Sequence, residues 1–165
     1  MGAVKIGCFP PGGTAMLGWS QPHHPMYSAL THLNYLAVLV TAVAGFMIGW
    51  LWYSVLFGKA WRAEMKITEA QMKESQAKGM AKYFAQGLIF TLLSTVGLAV
   101  LLRAHGTTDW VKGAELGAFV GLLVVGARLL NSGVWENRSL RLSAINVGHE
   151  VVMFAVQGAI LAAWR

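Results

Sequence analysis

The sequence has few charged residues. Only 12% of its 165 residues are charged and 56% are hydrophobic, whereas a soluble domain carries about 25% charged residues. So little charge excludes a water-soluble globule, because the polar side chains could not cover its surface. The mean hydropathy of +0.53 indicates a chain whose solvent is lipid. The lipid bilayer is therefore the first partner that we expect.

Cysteine is nearly missing, and the motifs of common enzymes are missing too. The single Cys8 excludes an intrachain disulfide and a cysteine-based metal site. The segment "HEVVM", which begins at His149, fails the zinc-protease pattern H-E-x-x-H because Met153 replaces the second histidine. The sequence also has no phosphate loop and no G-x-S-x-G motif. We therefore predict no catalytic residue, no metal site, no cofactor and no enzyme chemistry.

Proline is absent from most of the chain. All four prolines lie within residues 1–25, among several glycines. This composition resists both helix and strand, and it interrupts the continuous apolar core that a signal peptide needs. The sequence therefore predicts a disordered leader over residues 1–33 and one folded domain over residues 34–165.

Four apolar runs are present, each close to the roughly 20 residues that cross the hydrocarbon core as a helix. In the connector between the first two runs, Thr68 and Gln71 form the capping-box pattern that begins a helix, and Gly79 is a residue that ends one. The connector is therefore predicted to be solvated and to contain one exposed helix. The predicted spans are residues 34–57, 83–102, 110–130 and 142–164. The fold class that we expect is all-α: a polytopic integral membrane protein with four transmembrane helices in an antiparallel bundle.

Small residues recur at every fourth position in two of the predicted spans. This spacing lets two helices approach closely in lipid. The helix-packing glycines are Gly45 and Gly49 in the first span and Gly113, Gly117 and Gly121 in the third. We expect these faces to pack against other helices, either of this chain or of a partner.

Lysine and arginine predict the orientation of the spans. Nine of the thirteen lie in the first and third loops, and cytoplasmic loops hold the excess of these residues. We therefore predict a multi-pass protein of the inner membrane with both termini on the non-cytoplasmic side. Rings with one polar edge suit the headgroup layer at the end of the first span. The predicted membrane-interface anchor consists of Trp50, Trp52, Tyr53, Lys59, Trp61 and Arg62.

The fourth predicted span carries a polar stripe. Asn146, Glu150 and Gln157 fall on one side of a helix, and His149 lies at the edge of that side. Such groups are costly in hydrocarbon and often mark function. In one interpretation, Glu150 with His149 binds a cation or relays a proton. In the other, Glu150 hydrogen-bonds as a neutral acid or pairs with Arg128, and holds the third and fourth helices together.

Two segments of the chain resemble a known family. They are "GWLWYSVLFGKAW", at the end of the first predicted span, and "VWENRSLRLSAINVGHEVVMFAVQGAILAAW", near the end of the chain. Both are similar to the signature of the small bacterial integral membrane proteins known as domain of unknown function 1761. Val55 stands where that family usually has proline, and His149 follows a glycine where an aromatic residue is common. The resemblance implies a four-helix membrane protein and brings no known reaction.

Three hypotheses for function follow. The leading one is a non-enzymatic accessory or scaffolding membrane subunit, which forms a homo-oligomer or joins a larger membrane complex through its small-residue faces. The second is a small oligomeric transporter or channel whose path is lined by Asn146, His149, Glu150 and Gln157, because four helices alone enclose little room. A membrane-embedded enzyme or cofactor binder that uses His149 is the third. Nucleic acid is not an expected partner, because the basic residues form no single face.

Overall fold

The structure is a computed structural model that describes residues 30–164, and this part of the chain is all-helical. The expected all-α class is thereby confirmed. The helices are α1 (Tyr35–Leu56), α2 (Gly58–Glu64), α3 (Glu69–Ala77), α4 (Ala81–His105), α5 (Trp110–Trp135) and α6 (Leu140–Ala163). Among the described residues, α1, α4, α5 and α6 are long and apolar enough to cross a membrane. Residues 1–29, which hold most of the predicted disordered leader, lie outside the described residues.

Capping residues set the ends of the long helices. The side chains of Asn34, Asp109 and Ser139 each accept a hydrogen bond from the backbone N–H three residues later, at the starts of α1, α5 and α6. Such bonds satisfy N–H groups that have no partner inside the helix. Gly106, with a φ of 75°, ends α4 in the left-handed conformation. The helices therefore extend to their caps, and α4 and α5 run past the apolar stretches that predicted them.

The linker contains two short helices, so the prediction of a single exposed helix was wrong. The predicted capping box between Thr68 and Gln71 does form at the start of α3, and Gly79 follows α3 with a φ of 87°. The additional helix α2 begins directly after α1 and ends at Glu64. Lys66 has a φ of 53°, which no helix tolerates in its interior. The chain therefore breaks between α2 and α3.

Two of the long helices contain a π-helical segment. These segments are Trp52–Leu56 in α1 and Val120–Gly126 in α5. In α1, the Phe57 N–H donates to the Trp52 carbonyl five residues earlier, at 2.8 Å, which is the π pattern. Such a turn is wider than an α turn and changes the direction of the side chains that follow. The first two residues of this segment in α1, Trp52 and Tyr53, are hydrogen-bonded to α6.

Helix α6 contacts α1, α4 and α5, whereas α5 touches α4 only slightly. It runs antiparallel to α1, because Trp52 of α1 meets Ile145 and Gly45 meets Gln157 further along. It also runs antiparallel to α5, where Gly113 faces Gly158. The side chains of Val38, Leu98 and Phe154 join α1, α4 and α6 in one apolar core.

The backbones of α5 and α6 are in direct contact. A Cβ atom on Gly117 would overlap the carbonyl oxygen of Phe154, and one on Gly121 would lie 2.8 Å from the carbonyl oxygen of Glu150. Gly113 meets the backbone of Gly158 in the same way. Helices that approach this closely gain dispersion contacts along their length, which drives helix association where no water is expelled. The predicted packing face of α5 is therefore covered by α6 of the same chain.

Gly117→Ala is expected to lower the free energy of unfolding in detergent by about 1–3 kcal/mol, because the added methyl group forces α5 and α6 apart. Gly97→Ala is the matched control, since a Cβ there meets nothing within 4 Å, and its helix propensity makes it neutral or slightly stabilising. Thermal or denaturant unfolding of the two variants, followed by circular dichroism, measures the difference. Equal stability of the two variants would contradict this contact.

Candidate functional site

The candidate site lies at the seam where α6 faces α1 and α4. The two glycines of α1 that were predicted as a packing face make room here for polar side chains. A Cβ on Gly49 would lie 3.1 Å from Nε2 of His149, and one on Gly45 would overlap the side-chain amide of Gln157. The glycines of α1 therefore make room for side chains of α6, whereas the glycines of α5 let the backbone of α6 come close.

At one end of the seam, α1 is hydrogen-bonded to α6 through two half-buried rings. The indole Nε1 of Trp52 donates to the Ile145 carbonyl at 3.0 Å, and the hydroxyl of Tyr53 donates to Oδ1 of Asn146 at 3.2 Å. Both rings also flank His149, with centroids 6.1 Å away for Trp52 and 5.0 Å away for Tyr53. The π segment of α1 thus encloses one side of the histidine.

The centre of the seam holds His149 and Glu150. Nδ1 of His149 and Oε1 of Glu150 lie 3.0 Å apart. The histidine is only 7% exposed, and its Nε2 has no hydrogen-bond partner among the residues that the structure describes. Arg128, the alternative partner that we considered for Glu150, is exposed, and the side chain within hydrogen-bond distance of the Glu150 carboxyl group is His149. Within residues 30–164, no group of three His, Cys, Asp or Glu side chains could hold a metal ion.

The other end of the seam is a polar link between α6 and α4. Nε2 of Gln157 donates to Oγ1 of Thr95 at 2.8 Å, and Thr95 in turn donates to the Thr91 carbonyl at 2.7 Å. Gln157 and Thr95 are both 0% exposed. Sequence reasoning missed Thr91 and Thr95, although a pair of threonines four residues apart in an apolar helix is the signal that could have found them. Such a pair presents its hydroxyl groups on one face.

A cleft of about 270 Å³ opens beside His149 between α1 and α4. Most of its wall is apolar or aromatic, and the His149 ring is its buried titratable group. The lining residues on which this account depends are Gly49, Trp50, Phe46, Tyr53, Phe84 and His149. Cavities of this kind, apolar with a few polar groups, are typical binding sites for small molecules.

Some side chains of the predicted interface anchor lie on the surface, and others lie between helices. Trp50 and Lys59 are exposed, and Trp61 and Arg62 are half-buried in α2. The ring of Trp61 packs edge-on against Tyr53, with centroids 5.6 Å apart. Trp52 and Tyr53 are hydrogen-bonded to α6 instead of pointing outward. The aromatic cluster therefore joins the end of α1 both to α2 and to α6.

Comparison with known families gives one match. The model of a family described as "Protein of unknown function (DUF1761)" matches residues 36–162. This match contains the first segment on which the resemblance was based and all but the last two residues of the second. No curated protein and no solved structure matches the chain.

Thr95→Val is expected to lower the free energy of unfolding by about 1–2 kcal/mol, because it leaves the buried amide of Gln157 without its acceptor. Ser94→Ala is the matched control, since the hydroxyl of Ser94 bonds only to the Thr91 carbonyl of its own helix. Unfolding of both variants in the same detergent measures the difference. A loss for Ser94→Ala as large as that for Thr95→Val would show that the link between α4 and α6 contributes nothing.

Proposed function

Since the chain belongs to the family described as protein of unknown function DUF1761, we propose that it is a non-enzymatic accessory or scaffolding subunit of the bacterial inner membrane. In this proposal α1, α4, α5 and α6 form an antiparallel four-helix bundle across the bilayer. The outer surface supports it: Phe90 is 67% exposed, Leu93 63% and Val124 60%. Apolar surface of this extent favours lipid over water.

The observation that carries the proposal is the use of the polar stripe of α6 for hydrogen bonds inside the chain. Asn146 is bonded to Tyr53 of α1, and Gln157 is bonded to Thr95 of α4. Polar groups inside a membrane must find partners in the protein. Groups that find them on neighbouring helices hold those helices together. The stripe therefore supports a structural role better than a transport role.

In this proposal a partner subunit does not bind to the small-residue faces that the sequence analysis expected it to use. Gly113, Gly117 and Gly121 are covered by α6, and Gly45 and Gly49 face side chains of α6. A second chain has no access to the glycine face of α5 while α6 occupies it, and Gly45 of α1 is buried in the same way. A partner subunit would instead contact the outward apolar faces of α1, α4 and α5.

The orientation that we propose places both termini on the non-cytoplasmic side. This orientation is supported by a hydrogen bond and an ion pair that join the two loops rich in lysine and arginine at the same end of the helices. Oγ of Ser139 donates to Oε2 of Glu64 at 2.5 Å, and Nη1 of Arg141 lies 3.6 Å from Oε1 of the same carboxylate. The positive-inside rule assigns such an end to the cytoplasm.

Cysteine labelling in intact spheroplasts tests this orientation. In a Cys8→Ser background, a membrane-impermeant maleimide should label Thr108→Cys and leave Ser75→Cys unlabelled until the membrane is opened. Both positions are exposed, so access to the reagent depends on the side of the membrane. The opposite labelling pattern would contradict the proposed orientation.

A transporter is the second candidate, and the unpaired Nε2 of His149 is the observation that favours it. If a proton or cation moved along the stripe, neutralising Glu150 would stop the flux. Glu115→Gln is the matched control, because Glu115 is an exposed carboxylate on α5.

Two measurements separate these candidates. Gentle extraction at native expression, followed by mass spectrometry, should recover a partner subunit at fixed stoichiometry. Proteoliposomes containing wild type, Glu150→Gln or Glu115→Gln should show the same proton flux as empty liposomes. Two results together would overturn the accessory role in favour of transport. The extraction would yield a homo-oligomer without a partner, and the proteoliposomes would show a proton flux that Glu150→Gln abolishes and Glu115→Gln retains.

A further inference from the structure

The cleft beside His149 contains an unsatisfied hydrogen-bonding atom. Nε2 of His149 is buried without a partner in the described part of the chain, and the residue is 7% exposed. A buried polar atom without a partner is unfavourable, so native structures rarely leave one. Since His149 lines the cleft, a molecule bound there can supply the missing hydrogen bond.

Gly49 keeps side-chain atoms away from Nε2. A Cβ on residue 49 would lie 3.1 Å from Nε2, which is closer than carbon atoms and ring atoms normally pack. Any residue other than glycine would therefore crowd the Nε2 edge of the imidazole. Because Gly49 and His149 both line the cleft, the missing side chain leaves this edge of the ring for a polar atom of a ligand.

The neighbouring carboxylate determines what the ligand must provide. A carboxylate oxygen accepts hydrogen bonds, so the Oε1 of Glu150, 3.0 Å from Nδ1, places the imidazole proton on Nδ1. In the neutral ring Nε2 is then an acceptor. The ligand must supply an O–H or N–H group.

The walls of the cleft determine the rest of the ligand. Phe46 and Phe84 lie edge to face, with centroids 6.1 Å apart, on the α1 and α4 sides. An apolar cavity of about 150 Å³ holds benzene, so a cleft of about 270 Å³ has room for one ring with a short substituent. Trp50 and Phe84 are 49% and 47% exposed, which opens the cleft towards the outer apolar surface.

We propose that this cleft binds a neutral, membrane-soluble phenol whose hydroxyl group donates to Nε2 of His149 and whose ring packs against Phe46 and Phe84. The molecule enters from the lipid between α1 and α4. Binding requires neither a partner subunit nor transport, so this inference goes beyond the accessory role and is independent of it.

Calorimetry with two matched probes tests the proposal on the purified full chain in lipid nanodiscs. The probes are 4-butylphenol and its methyl ether, 4-butylanisole, which differ in the hydroxyl donor. The phenol should bind about tenfold more tightly, as expected for one buried hydrogen bond. Equal affinities, or no binding of the phenol beyond its partition into empty nanodiscs, would overturn the proposal.

Two variants locate the binding site. Gly49→Ala should weaken phenol binding at least tenfold, because its methyl group would lie 3.1 Å from Nε2 and crowd the atom that accepts the hydrogen bond. Gly97→Ala, whose Cβ meets nothing within 4 Å, should bind as wild type does. If both variants bound the phenol with wild-type affinity, the site would lie elsewhere and the proposal would fail.

Nitrogen NMR of the histidine ring tests the chemistry in the wild-type chain and needs no variant. The His149 resonances should report a proton on Nδ1, and the Nε2 resonance should shift when 4-butylphenol is added but not when 4-butylanisole is added. A proton on Nε2 in the free protein would make this atom a donor and would overturn the proposed acceptor role.

Discussion

Polar side chains on α6 need partners inside the chain, because the helices around them are apolar. An unsatisfied polar group costs several kcal/mol in hydrocarbon. Tyr53 of α1 and Thr95 of α4 supply such partners at opposite ends of the polar stripe, to Asn146 and Gln157. The two bonds attach α6 to different neighbouring helices, so together they fix the rotation of α6 about its axis. The same rotation presents the backbone of α6 near Phe154 to the glycines of α5.

One sequence pattern serves two purposes in this fold. On α5, glycines at every fourth position bring two backbones together, as at Gly117 against the Phe154 carbonyl. On α1, the same spacing makes room for the side chains of His149 and Gln157. The difference lies in the facing residues, since α6 presents backbone to α5 and polar side chains to α1. Close packing on one side of α6 and a cleft on its other side follow from this difference.

The long helices and the Thr68 capping box were predictable because they depend on local composition and on short-range hydrogen bonds. The partners of the polar stripe were not, since a period of four identifies a helix face but not the rotation of its neighbour. The π segment Trp52–Leu56 adds to the difficulty, because its wider turn shifts the residues that follow it out of the regular α-helical spacing. An amphipathic ring suits a headgroup layer and a buried polar contact equally well, so the type of residue could not distinguish the two, and the position of the rings at the end of the first span led to the anchor prediction.

The seam between α1 and α6 is the central claim of this account, and solid-state NMR in lipid bilayers tests it most directly. With ¹⁵N in tryptophan indoles and ¹³C in isoleucine carbonyls, magnetisation should pass from Nε1 of Trp52 to the Ile145 carbonyl, whose oxygen lies 3.0 Å away. This transfer should disappear in Trp52→Phe. A spectrum without the transfer in the wild-type chain, and with the Trp52 indole exchanging freely with water, would contradict the seam.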